Sequence, residues 1–170
     1  MRLFASKVVP IAQECVRALV AANDIEATSP KDVEADVVAC LQGYLAKERE
    51  VNDKARDLLG RTGRSNEDFN RVRGQIADSH GIKVGEETLD FVLDQVVATF
   101  HDSDNVDEIF AEDIGLRRRM IPIFKKYMSD DSELDAEVRS QIKNVKEGTP
   151  MWDVEYARVM ELTRRKRGLT

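Results

Sequence analysis

The segment Ile11-Ala12-Gln13-Glu14-Cys15-Val16-Arg17-Ala18-Leu19-Val20 has a counterpart about 80 residues later in Phe91-Val92-Leu93-Asp94-Gln95-Val96-Val97-Ala98-Thr99-Phe100. Set against each other, Ile11, Ala12, Val16 and Val20 meet Phe91, Val92, Val96 and Phe100, so each apolar position stays apolar. The spacing between them is that of one helix face. The correspondence continues outward. Asp32-Val33 falls on Asp113-Ile114, Glu50-Val51 and Leu59 on Glu133-Leu134 and Ile142, and Phe69, Val72 and Gly81 on Tyr156, Val159 and Gly168. A repeat of this length means that one helical unit has been used twice. It predicts an all-α protein of about seven helices in two tandem, structurally similar units, residues 1–82 and 83–170, that pack on each other. Each unit alone is small enough to bury proportionally little surface, which is why the two are expected to touch.

Composition narrows the class. Of 170 residues, 42% are apolar and 34% charged, too apolar for a disordered chain and without a long charge-free run to span a membrane. Gln13, Glu14 and Arg17 interrupt what would have to be the core of a signal peptide, so a cytoplasmic location is expected. Cys15 and Cys40 lie in apolar stripes and read as small buried hydrophobes in a reducing compartment.

Caps and stops divide the chain. Ser6 is positioned to cap a first helix carrying Val8, Ala12, Cys15 and Leu19, which should end near Asn23. Ser29-Pro30 with Asp32 opens a second helix through Val33, Val37, Leu41 and Tyr44, and Gly60 should stop it; the sequence leaves open whether it bends near Asn52. Ser65 with Asp68 begins a third, stopped at Gly81. In the second half, Leu89, Val92, Val96 and Phe100 mark a helix, Val106, Ile109 and Phe110 start the next, and Pro122 should kink or break it. Ser132 caps a helix that stops at Gly148, and Thr149-Pro150 opens the last, with Trp152, Tyr156 and Val159 on one stripe and Trp152 as its core anchor. The segments Arg2-Leu3-Phe4, Ile82-Lys83-Val84 and Gly168-Leu169-Thr170 are candidates for short extended pairings.

The opening Met1-Arg2-Leu3 with Lys7, the stretch Val106-Asp107-Glu108-Ile109-Phe110-Ala111-Glu112-Asp113, and the run Leu116-Arg117-Arg118-Arg119-Met120-Ile121-Pro122-Ile123-Phe124-Lys125-Lys126 together carry a likeness. They resemble the bacterial domain-of-unknown-function family numbered 507, across the whole chain. The resemblance implies a small, mainly helical bacterial protein and brings no activity or catalytic residues with it.

A search for chemistry finds little. His80 and His101 stand outside metal-ligand spacings. The acidic run Asp102 to Glu108 has Val106 where a calcium loop needs a ligand and Asp107 where it needs glycine. Gly60 to Gly63 lacks the Lys-Ser/Thr pair of a phosphate loop. No catalytic, metal or cofactor-binding set is therefore assigned, and the chain is not expected to be an enzyme. Charge is more selective. Residues 86–113 hold ten acidic side chains and no lysine or arginine, whereas residues 114–128 hold Arg117, Arg118, Arg119, Lys125 and Lys126 and no acid. The chain closes on Arg164-Arg165-Lys166-Arg167. Those nine cations are the candidate binding patch. They can equally complement helix ends and neighbouring acids inside the fold. Two functions follow: a non-catalytic helical interaction module for another protein or for itself, and, as the alternative, association with RNA, a ribonucleoprotein or DNA through local positive potential. A membrane partner is not expected.

Overall fold

A computed structural model describes residues 1–128 and 131–169, with the backbone alone at Asn66, Asp131 and Ser132. Seven α-helices form the described chain: α1 (Val8–Ala21), α2 (Pro30–Thr62), α3 (Phe69–Ser79), α4 (Thr88–Asp102), α5 (Asp113–Tyr127), α6 (Asp131–Gln141) and α7 (Pro150–Lys166). One two-residue antiparallel pairing joins β1 (Ile25–Glu26) to β2 (Glu108–Ile109), with Ile25 opposite Ile109 and Glu26 opposite Glu108. Among the described residues no helix is long and apolar enough to cross a membrane.

The frame is α2. Pro30 sits at its first turn, where a missing N–H removes no intrahelical bond, and Asp32 lies at the positive end of the dipole. The helix runs unbroken for 33 residues, past Asn52 and through Gly60, which was expected to stop it. The stop is Gly63, at φ 62°, a left-handed conformation that glycine adopts without a Cβ clash. Val33, Val37, Leu41, Tyr44, Val51, Ala55 and Leu59 form its buried stripe. α1 and α4 both pack on α2, and both pack on α5 as well. The main core is accordingly continuous from Leu3 to Met128 and contains Ile11, Val37, Phe100 and Phe124, drawn from both sides of residue 82. Helix, two-residue strand and helix occur in that order twice, as α1–β1–α2 and as α4–β2–α5.

Several local readings are corrected. Val106, Ile109 and Phe110 do not begin a helix: β2 occupies 108–109, the amides of Phe110 and Ala111 donate to the Asp24 carbonyl at 2.9 and 3.2 Å, and the helix starts at Asp113. The strand pairing thus satisfies backbone groups that a helical start would have left open. Of the segments expected to pair, Arg2 lies in an isolated β-bridge, apart from the β1–β2 sheet; Leu3, Ile82 and Leu169 are buried, and Thr170 lies outside the described residues. Ser6 lies in a 3-10 turn before α1 and donates its hydroxyl to the Gly168 carbonyl at 3.1 Å, tying one terminus to the other rather than capping. Pro122 does not break α5, which continues to Tyr127. The carbonyl it deprives of a partner is that of Arg118, an exposed residue whose backbone is accessible to water. α6 ends at Gln141, before Ile142 and well short of Gly148, and the cap expected at Ser132 falls on a side chain outside the description.

The α6–α7 hairpin attaches to the body through a small separate cluster of Phe4, Leu134 and Leu169, with Met160 against it. Thr149 caps α7 as expected, its hydroxyl accepting from the Trp152 amide at 3.2 Å. Trp152 is only half-buried and belongs to none of the three hydrophobic clusters among the described residues; it stacks on Tyr156 at 5.0 Å with the Arg139 guanidinium over its ring at 5.3 Å. Because α1 and α4 each need helices from both halves, a fragment of residues 1–82 should leave much of its apolar stripe in water. It is expected to lose cooperative thermal unfolding by circular dichroism; a sharp transition near that of the intact chain would show that the first half folds alone.

Candidate anion-binding groove

The polar side of α2 carries Leu45, Arg49, Asn52 and Arg56 at positions i, i+4, i+7 and i+11, which brings them to one face. The N-terminal segment, with Arg2, Leu3 and Phe4, lies beside them, and α7 supplies the other wall with Tyr156, Met160, Arg164 and Arg165. Together with Leu169 they enclose a groove of about 710 Å³. Leu169 reaches it because Gly168, at φ 63°, turns the chain back after α7 and lets the Leu169 amide donate to the Arg164 carbonyl at 2.8 Å.

Five guanidinium groups line this groove against three carboxylates, Glu48, Asp53 and Glu161. Glu48 is buried and held by Arg73 of α3 at 2.8 Å, with both side chains largely out of solvent. Arg165 pairs with Glu161 at 2.6 Å and Arg56 with Asp53 at 3.5 Å, both on the exposed rim. Arg2 lies over the Phe4 ring at 5.5 Å, and neither it nor Arg49 makes an ion pair among the described residues. The Asn52 side-chain oxygen is buried without a hydrogen-bond partner. Burial, and the hydrogen bond it makes to Asp135 at 2.6 Å, push the Tyr156 hydroxyl up to about 12, so it stays protonated at neutral pH.

The nine candidate cations do not converge. Arg117 turns to α4 and bonds Asp90 at 2.9 Å and Asp94; Arg119 bonds Asp24 after α1; Lys126 reaches Glu14 of α1 at 2.9 Å. Those three serve packing, and the acidic run 86–113 supplies two of the partners through Asp90 and Asp94. Arg118 and Lys125 are exposed and without an ion pair among the described residues. At the other end, Arg164 and Arg165 line the groove, Arg167 pairs with Glu137, and Lys166 faces solvent. Sequence reading missed Arg2, Arg49, Asn52 and Arg56. One signal for them was present: Glu48 stands in the apolar stripe between Tyr44 and Val51, where a carboxylate needs a partner.

The two histidines are engaged elsewhere, His80 at 2.8 Å from the Lys54 ammonium and His101 at 2.7 Å from Asp113. Burial pushes the Cys15 thiol up to about 12 and raises that of Cys40, in keeping with packed, protonated side chains. The acidic turn after α4 is fastened by Asp36, which accepts from the Ser103 hydroxyl at 2.5 Å and the Asn105 amide at 2.9 Å.

The chain matches, over residues 1–169, the family described as protein of unknown function, DUF507, and it belongs to that family. No curated protein matches it.

Two side-chain pairs give measurable expectations. Arg73→Ala would strand the buried Glu48 carboxylate and should cost about 3–5 kcal/mol in denaturant unfolding. The second pair depends on pH. The Tyr127 hydroxyl, at 2.7 Å, and then Lys126 hold the Glu14 carboxyl below its ordinary 4.5. A folded-state value that is depressed stabilises the fold above that pH and ceases to as the pH falls below it. Tyr127→Phe should therefore lower stability at pH 7 by about 1 kcal/mol or less, given partial exposure, and the difference from wild type should shrink toward pH 3.

Proposed function

We propose that this member of the family is a non-catalytic helical interaction module that docks another protein, or a second copy of itself, on the outward face of α7. The observation that carries the reading is the exposure of Met151 and Val154, each 71%, and of Leu162, 50%. At 100° per residue these three lie within about 80° of one another on the helix, a side distinct from that which buries Val159 and Thr163. Exposed apolar side chains sharing one helix face favour a protein partner over water, and here Arg158 stands between Val154 and Leu162. The face also carries the Glu155–Arg158 pair, with the Glu161–Arg165 pair at its edge. The thiols of Cys15, buried, and Cys40, half-buried, are both raised by burial and suit a reducing cytoplasm. The recurring helix–strand–helix order supports descent of the two halves from one duplicated unit.

A second reading, association with RNA or DNA, is favoured by one observation: Arg118, Lys125 and Lys166 are exposed without ion pairs among the described residues. Phosphate contacts of this kind are sequence-independent and weaken steeply with salt.

Affinity purification of the native protein, with and without nuclease, separates the two. Protein company that survives nuclease and is lost in the Val154→Glu, Leu162→Glu double variant supports the docking face. That variant should unfold within about 0.5 kcal/mol of wild type, the range for exposed positions. Retention of the same partners by the variant would remove α7 as the contact, and nuclease-sensitive company would favour the second reading.

A further inference from the structure

The groove between α2 and α7 uses a different side of the last helix. Tyr156, Met160 and Arg164 face it, whereas Met151, Val154 and Leu162 point to solvent. Its volume, about 710 Å³, falls in the range of small-molecule sites. The lining is divided by chemistry. Leu45, Met160 and Leu169 provide an apolar wall, and Phe4 and Tyr156 provide rings. Arg2 and Arg49 stand there without carboxylates of their own among the described residues, so their planar donor forks are available to an anion. Glu48, the most buried acid in the wall, is paired with Arg73 of α3 at 2.8 Å. Asn52 also lines the groove, with its side-chain oxygen buried and without a partner in the protein.

We infer that this groove binds a nucleoside monophosphate or a closely similar organic phosphate monoester. Such a ligand answers each feature of the lining. Its phosphate carries about −1.5 to −2 charges at neutral pH and suits two guanidinium forks. Its ring system lies against the apolar and aromatic wall. Inorganic phosphate would satisfy the arginines and leave the apolar wall wet; an uncharged nucleoside would do the reverse. The inference does not depend on what docks on the outward face of α7.

The test is calorimetric titration of the full chain with adenosine monophosphate, uridine monophosphate, phenyl phosphate, inorganic phosphate and adenosine. Saturable binding of at least one nucleoside monophosphate at one site per chain is expected, with phenyl phosphate weaker. Inorganic phosphate and adenosine should each be weaker than the best nucleotide by about tenfold or more, as the loss of one charge-assisted contact or of the apolar contacts implies. Arg2→Gln and Arg49→Gln should each reduce nucleotide affinity about tenfold; the thermal midpoint should stay unchanged for Arg49→Gln, which loses no ion pair, and fall slightly for Arg2→Gln, which loses its contact over the Phe4 ring. Absence of saturable binding by either nucleotide would overturn the inference. So would equal affinity for inorganic phosphate, indifference to both arginine variants, or tighter binding of a glutamate-rich peptide added as a competitor.

Discussion

Burial of one stripe on α2 is the constraint from which the rest of the structure follows. Val33, Val37, Leu41, Val51 and Ala55 are fully removed from solvent along a helix whose other sides are charged. A helix of about 50 Å could not hold its apolar face in water, and three neighbours, α1, α3 and α4, cover it. α5 then closes over α1 and α4 from the opposite side. The pairing of β1 with β2 fixes how the two helix–strand–helix segments meet, because a one-residue slip would turn Ile25 and Ile109 to the other face.

This interlocking explains the charge pattern. A run of ten acids followed by a basic run looks like a binding signal when the chain is read linearly. Once α4 and α5 pack, Arg117 meets Asp90 and Asp94, and the contrast becomes internal neutralisation. Exposed pairs of this kind contribute little each, so they orient the helices more than they hold them. The buried pair is different. Glu48 and Arg73 cost desolvation that apolar residues would not, and they place a fixed carboxylate in the wall of the arginine-lined groove.

The groove itself is a product of the termini. Ser6 bonding Gly168, and Phe4 packing with Leu134 and Leu169, seat α7 near the middle of α2. Arg2, at one end of the chain, and Arg164, near the other, then share a cavity with Arg49. α7 consequently shows three sides: Val159 toward the body, Tyr156, Met160 and Arg164 toward the groove, and Val154 and Leu162 toward solvent. A protein contact and a small-anion contact can therefore coexist on one helix.

What the sequence by itself determined was local. Apolar spacing and the punctuation at Ser29-Pro30, Gly81 and Thr149-Pro150 were enough for an all-α fold of seven helices, because helix periodicity and caps act over three or four residues. Where competing partners were distant, local signals misled: Val106 to Phe110 reads as a helix start until β1 supplies backbone partners, and Gly60 reads as a stop until packing carries α2 on to Gly63. Tertiary structure alone decided which cations pair and which converge. Arg2, Arg49 and Arg164 are separated by nearly the whole chain, and no local rule joins residues whose proximity depends on how α7 is seated.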